Sequence, residues 1–462
     1  MKKILFIVPM SKASVIMPPL GIGYLATIAR YFGYNVTILD CLRDKIDITN
    51  FEKYIKSNRF DIFGISMMTF NFNTAKEYTE IIKKLNKDLV VVLGGSHPSG
   101  DYENILNDFP NADFAFRGEA ELGFKEFLEE LKKPKNKRKY KNVSNLIWRK
   151  DDKIIINEWK VIDDLDSIKF PAWDLIDPRT YPISPHTVFA VNFPVAPIIV
   201  TRGCPFQCTF CSGRTVTGTV VRKRSIENVM SEIDFLIRNY GVKEIHIEDD
   251  NFTLHKDFVM EFCNELIKRN YGISWALPNG VRLDTLDEEM LFLMEKSGCH
   301  YFAVGIEFGT DKMLKLTNKQ LTIAMIKEKI SLISKFNMKI NGFFMLGVPD
   351  ETREDMLKTI ELSKELPIHN AQFSNFIPLP GSYLYKRLKR EGKVENKDLE
   401  RFLAHDVPFV PDGMTERELK NLQRRAFLEF YLRPKIIFNL LKSIRNTQQF
   451  FRLVSRVVES WK

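Results

Sequence analysis

Short apolar runs alternate with stretches of helical spacing twice along this chain, and that alternation confines it to parallel-sheet architectures. "KILFIV" (Lys3 to Val8) is a continuous apolar run, as suits a strand covered on both faces. "GIGYLATIARYFG" then has helical spacing and ends at Gly33, a residue suited to a helix C-cap. "NVTILD", "DIFGISMM", "LVVVLGGSHP" and "DFAFRGEAE" read as further strands, separated by the helical segments "FEKYIKSN" and "TAKEYTEIIKKLN" and followed by "FKEFLEEL". Residues 1–131 are therefore expected to form a doubly wound, Rossmann-like α/β domain with a parallel sheet. Ligands of such sheets bind beyond the carboxyl ends of the strands, where Gly64 to Ser66, Gly94–Gly95 and Arg117–Gly118–Glu119 fall.

The basic run "KKPKNKRKYK" from Lys132 marks a boundary. "NLIWRKDDKIIINE" reads as a hairpin around an Asp–Asp turn, and 132–195 as a connector packed between domains. The second train occupies 196–385. Its strands are "PIIVTRG", "EIHIEDD", "SWALPNG", "YFAVGIEFG", "INGFFMLGVP" and "AQFSNFIPLPG". Six β–α repeats predict a (β/α)6 partial TIM barrel, with functional residues at the strand ends. Glu248 to Asp250, Asn279, Glu307 and Gly347 lie there.

The remainder, 386–462, reads as helical. "TERE" (Thr415 to Glu418) is a capping box, and Pro434 suits the first turn of a further helix. Phe450, Phe451, Val454, Val457, Val458 and Trp461 form a stripe at helical spacing, either core or a basic amphipathic surface for membrane lipid.

Six cysteines in 462 residues do not make a secreted disulfide scaffold and point to a reducing compartment. The first apolar run is too short for a signal peptide, and no stretch reaches the roughly 20 apolar residues that span a bilayer. The net charge of +9 is concentrated in the Lys132–Lys141 run and after Arg433, and solvated surface explains it as well as an anionic partner does.

Half of the cysteines crowd into "TRGCPFQCTFCSGR". Cys204, Cys208 and Cys211 are spaced four and three apart in a loop after a strand. Three thiolates can hold three irons of a 4Fe–4S cluster and leave the fourth with open coordination. Structural zinc with a distant fourth ligand, a ferredoxin-type cluster completed by Cys263 or Cys299, and unconnected thiols are the alternatives. CxxxCxxC, with Phe210 before its last cysteine, resembles the radical S-adenosylmethionine (SAM) superfamily. The resemblance implies that the open iron chelates SAM and that one-electron transfer cleaves it to methionine and a 5′-deoxyadenosyl radical.

Further motifs extend the resemblance. "IEDDNF" is similar to the family's segment for the SAM amine, making Glu248, Asp249 and Asp250 candidates. "ALPNGVRLD" offers Asn279 and Arg282 to ribose or carboxylate. "GIEFGTDKML" resembles the family's Gly-x-Glu-Ser-Gly turn with Phe308 replacing the serine, which keeps Glu307 but loses a hydroxyl. "FFMLGVPDET" resembles the adenine-binding turn, with Gly347 admitting a flat ring.

A doubly wound domain ahead of such a barrel resembles the cobalamin-binding radical SAM group, class B methyltransferases and tetrapyrrole-cyclase or hopanoid-associated members included. "PPLGIGYLATIARYFGYNVTILD", "GGSHPSG", "LDSIKFPAWDLID" and "FIPLPGSYLY" carry that resemblance. The Asp-x-His-x-x-Gly motif of histidine-ligated cobalamin is absent. Cobalamin contacts are therefore expected from Ser66, Thr69, Gly94, Gly95 and Ser96, with His97 a loop residue holding a polar partner.

The resemblance implies methyl transfer from SAM by way of cobalamin to an unactivated carbon of a small-molecule or lipid-like substrate. It also implies a reductase, flavodoxin or ferredoxin as electron donor, and a cytoplasmic setting with possible peripheral membrane contact. Oxidative cyclisation or rearrangement is the alternative, and RNA modification a more distant one. Nucleic acid is disfavoured because Cys41 is the only cysteine before Cys204, leaving no second cluster. No general base is assignable; His300, Tyr301 and Glu307 are only neighbours of the site.

Overall fold

The computed structural model describes residues 2–12, 15–151, 153–182, 190–394, 396–403 and 406–443. The apolar stripe from Phe450 to Trp461 lies outside them.

Seven strands make the first sheet: β1 (Lys3–Val8), β2 (Asn35–Asp40), β3 (Ile62–Ser66), β4 (Val90–Gly94), β5 (Phe114–Phe116), β6 (Leu146–Lys150) and β7 (Lys153–Ile156). Their order is β2-β1-β3-β4-β5-β6-β7, the first five parallel and the last two antiparallel. Helices cover both faces, which is why Ile4, Leu5, Phe6 and Ile7 in succession are buried. The strand order turns back at β1, which opens a crevice above the carboxyl ends of β1 and β3. The hairpin expected in the connector is β6–β7. It belongs to this sheet because Trp148 pairs with Phe114.

The second sheet has six strands: β8 (Val195–Ile198), β11 (Glu244–Ile247), β12 (Ser274–Val281), β13 (Cys299–Glu307), β14 (Lys339–Leu346) and β15 (Asn370–Asn375). They are parallel and adjacent in chain order, and β8 and β15 form the two edges, so the barrel is partial. Ile245, Trp275, Phe302 and Ile340 are fully buried in the core that these strands share with the outer helices. A short antiparallel pair, β9 (Thr201–Arg202) and β10 (Arg222–Lys223), brackets the cysteine loop.

The amino end of the barrel is plugged. Glu244, wholly buried, accepts from His246 Nε2 at 3.0 Å, His300 Nε2 at 3.1 Å and Ser274 Oγ at 2.7 Å. Burial alone would raise its pKa; the two imidazole donors outweigh that and hold it far below the carboxylate range. His300 is thus committed at the strand end opposite the cysteines.

Four buried charges join the two sheets. Arg222 grips Glu119 through two bonds of 2.8 and 2.6 Å, and Arg202 pairs with Glu121 at 2.8 Å. The arginines flank the cysteine loop, and the glutamates follow β5. This pairing turns the carboxyl ends of the two sheets toward each other. The C-terminal helix Glu416–Tyr431 starts at its capping box, Thr415 N–H to Glu418 Oε2 at 2.8 Å, and packs along β15.

Candidate active site between the two strand ends

A cavity of about 250 Å³ lies where the sheets face each other. One wall is the first sheet: Gly21, Gly64, Ser66, Gly94 and Gly95. The other is the barrel mouth: Thr201, Arg202, Thr217, Glu248 and Asp250.

The sheet wall is shaped by missing side chains. A Cβ on Gly64 would stand 2.6 Å from the Phe6 ring, and one on Gly95, at φ +108°, 2.4 Å from the Met67 carbonyl oxygen. A Cβ on Gly21 or Gly94 would meet nothing within 4 Å; both residues border the open space. A bulky ligand that approaches backbone closely suits such a wall. Thr69 and Ser96 are not part of the lining. Thr69 Oγ1 is 3.2 Å from Nδ1 of buried His97, so that histidine has the polar partner expected of it, although it sits in the short helix Ser96–Gly100 and not in a loop. Burial pushes His97 down to about 4, and its ring packs edge-on against Phe72.

The cysteine loop borders the barrel mouth. Burial raises the Cys204 thiol, and the protein packed around the Cys211 sulfur pushes it up to about 11, although the residue itself opens toward solvent. The neighbouring sulfurs lie close enough to add to the rise at Cys204 and Cys211. The Gly213 N–H donates to Cys211 Sγ at 3.4 Å, and the Phe206 N–H to Cys204. The Arg282 guanidinium stacks on the Phe206 ring at 3.6 Å. Amide donors and a cation around three thiols favour a thiolate-held anionic centre, so the residues fit an iron–sulfur cluster. Among the described residues no three of His, Cys, Asp or Glu converge on a single metal ion.

The acidic run after β11 divides its labour. Glu248 accepts from Asn279 Nδ2 at 2.9 Å, and Asp250 from Thr217 Oγ1 at 2.6 Å; both acids line the cavity. Asp249 turns inward instead. It accepts from the amides of Val200 and Thr201, both at 2.8 Å, and burial pushes it up to about 7. It ties down the segment that leads into the cysteine loop.

Arg282 spends its guanidinium on Asp284, at 2.9 and 2.8 Å, and on the Lys319 carbonyl at 2.9 Å. Glu307, at φ +68°, pairs with Lys319 Nζ at 2.9 Å. Burial alone would lower Lys319; Glu307 and Cys208 outweigh it and hold the ammonium above its ordinary value. Gly347, at φ +84°, gives its N–H to Glu351 at 2.6 Å, and a Cβ there would stand 2.6 Å from Leu419. Burial pushes Glu351 up to about 8.

Sequence reasoning missed Lys319, Thr217 and the arginine–glutamate joint. Lys319 sits between Asn318 and Gln320, both in the left-handed region at φ 54° and 58°. Strained backbone of this kind collects at functional sites, but "TNKQ" gives no sign of it. Arg202 and Arg222 read as ordinary basic residues until Glu119 and Glu121 arrive from the other sheet.

Known proteins match this arrangement. The family model of the radical SAM superfamily matches residues 198–363, and that of the B12 binding domain residues 7–128. An uncharacterized methyltransferase of Pyrococcus horikoshii is 31% identical over 442 residues, covering 94% of each chain. A cytidylyl-2-hydroxyethylphosphonate methyltransferase of Streptomyces wedmorensis is 29% identical, over 88% of this chain and 86% of its own. An anaerobic magnesium-protoporphyrin IX monomethyl ester cyclase of Rubrivivax gelatinosus is 28% identical, over 90% and 74%. Among solved structures, the cobalamin-dependent SAM radical enzyme OxsB superposes with a TM-score of 0.75 at 15% identity, over 99% of this chain and 71% of its own. The radical SAM methyltransferase TsrM of Kitasatospora setae superposes with a TM-score of 0.68 at 17% identity, over 85% and 77%. With two family models matching in tandem and a relative aligned over nearly its whole length, this chain belongs to the radical SAM superfamily, in the group whose barrel follows a B12-binding domain.

Proposed function

We propose that the enzyme moves a methyl group from SAM to an unactivated carbon of a small molecule, with cobalamin as carrier. The observation that carries this reading is the shared cavity: glycine-rich strand ends and cluster-side acids line one space. Both cofactors are then within reach of one substrate, as group transfer between them requires. Bound there, the cluster supplies one-electron reduction of SAM, and cobalamin supplies a transferable methyl group.

The chain's own residues hold and orient. Cys204, Cys208 and Cys211 are the cluster ligands in this reading. Glu248 and Asp250 face the SAM amine as charge-assisted acceptors, with Asn279 and Thr217 setting their rotamers. Asp249 acts from behind through the 200–201 amides. The Glu307–Lys319 pair places a cation beside the loop for a carboxylate, while Arg282 buttresses Phe206. Gly347 shapes the adenine side by its backbone conformation. Ser66, Gly94 and Gly95 cradle cobalamin; Thr69 and Ser96 shape that wall indirectly.

The donor of the electron is a reductase, flavodoxin or ferredoxin, and the compartment is a reducing cytoplasm. No helix among the described residues is long and apolar enough to cross a membrane. RNA modification with a second cluster finds no support at Cys41, whose buried thiol is pushed up to about 12. Oxidative cyclisation is the second reading, favoured by the similarity to the Rubrivivax cyclase.

Product analysis of the anaerobically reconstituted enzyme separates them. Methyl transfer yields S-adenosylhomocysteine together with 5′-deoxyadenosine. Deoxyadenosine without homocysteine product supports cyclisation, and neither product overturns both readings.

A further inference from the structure

The last described helix, Pro434–Ser443, is only partly packed. Ile436 is 4% exposed and anchors it to the barrel's outer core, whereas Leu432, Ile437 and Phe438 are 63%, 40% and 67% exposed. Three large apolar side chains presented together on one short stretch are costly in water unless something covers them.

Charge says what covers them. Residues 433–462 contain seven lysines and arginines against a single glutamate. This stretch therefore carries six of the chain's nine net positive charges in fewer than a tenth of its residues. Lys435 is exposed beside the apolar patch. Aromatic and aliphatic side chains among cations match a bilayer surface with anionic headgroups, where apolar insertion and headgroup attraction add.

Location fits a tether rather than a substrate gate. The helix Glu416–Tyr431 begins with Leu419 beside Gly347, at the carboxyl end of β14. It ends with the Tyr431 hydroxyl donating to the Ala371 carbonyl at 2.8 Å, near the start of β15. Arg433 then donates to the Lys364 carbonyl at 2.6 Å. The patch therefore lies toward the amino end of the barrel, opposite the cavity mouth, and seating it on a surface leaves the mouth open.

We infer that Leu432, Ile437 and Phe438, together with the exposed Lys435, form a peripheral docking surface for anionic phospholipid bilayers. This stands whether the reaction is methyl transfer or cyclisation.

The test is co-sedimentation of the full chain, carrying its cofactors, with vesicles of phosphatidylcholine alone or of phosphatidylcholine mixed with phosphatidylglycerol. The chain is expected on the mixed vesicles only, less so at high salt. Phe438→Glu is expected to weaken that binding roughly tenfold or more at an unchanged melting temperature. Leu432→Ser and Lys435→Glu serve as independent variants if Phe438→Glu does not fold. Failure to bind the mixed vesicles overturns the inference. So does equal binding to both vesicle types, or binding indifferent to all three substitutions. Dimerisation or RNA binding that replaces vesicle binding and is lost with Phe438→Glu assigns the patch to another partner and overturns it as well.

Discussion

The two walls of the cavity are built by opposite means. The sheet wall is made of absences: Gly21 and Gly94 border open space, and Gly64 and Gly95 leave no room for a Cβ. The barrel wall is made of charges: Glu248, Asp250 and Arg202 line it, and the cysteine loop adjoins it where Gly213 lies between Asp250 and Cys211. A wall of absences selects by shape and tolerates a large neutral surface. A wall of charges selects by polarity and holds small ionic groups in fixed places. The two should fail independently, and substitutions on each wall test that.

The largest effect is expected on the barrel wall. Cys211→Ala should remove a cluster ligand and lower reductive SAM cleavage by roughly 10³-fold or more, since no other route to the electron exists. Iron content and 5′-deoxyadenosine yield report it. Cobalamin retention, read from the visible spectrum, should be unchanged. Loss of both together would mean that the walls are one cooperative site.

Next in size is the joint that makes the walls face each other. Glu119→Ala strands Arg222, which is 6% exposed, without its bidentate partner. Breaking a buried pair from one side costs about 3–5 kcal/mol. A lowered thermal midpoint should accompany loss of both cofactor signals. Glu119→Leu combined with Arg222→Met should recover most of the midpoint, because no buried charge is then left unpaired.

A subtler change falls on the sheet wall alone. Gly94→Leu projects a side chain into the open space beside the strand end. It should weaken cobalamin retention by about tenfold or more, equivalent to ~1.4 kcal/mol, with iron content and melting temperature near wild type. Gly95→Ala makes the contrast, because a residue at φ +108° with Met67 in the way strains the fold itself. Its melting temperature should fall.

Legibility in the sequence followed the range of the interactions. Strands buried on both faces announce themselves as apolar runs, so β1, β3 and β4 are readable, and their carboxyl ends mark where a cavity is expected. The cysteine spacing is local too, and it carried the cluster and the family together. What depends on distant partners was not readable. The β6–β7 hairpin looked like connector because its place in the sheet is decided by Trp148 meeting Phe114. Glu119 looked like part of a ligand lip, and it does line the cavity, yet its carboxylate is claimed by an arginine 103 residues away. Asp249 was indistinguishable from Glu248 and Asp250 in "IEDD", although it alone faces the amides of the preceding strand segment. Lys319 needed the folded turn to reach Glu307.

The smallest expected effect on cofactor retention concerns His97, which stands behind the sheet wall and separates structural support from ligation. Its Nδ1 meets Thr69, its Nε2 has no partner among the described residues, and burial lowers its pKa to about 4. The unfolded chain takes up a proton here near pH 6.5, and the folded one only near 4. Between those values the unfolded state binds more protons, so acid favours it. Stability from this group is complete above pH 6.5 and falls as pH drops toward 4, by at most ~3 kcal/mol. His97→Gln should flatten that part of the stability–pH curve, measured by denaturant melts, while cobalamin stays bound with an unaltered visible spectrum at neutral pH. If the cobalt spectrum shifts instead, the histidine reaches the metal, and the sheet wall holds its ligand by coordination and not by shape alone.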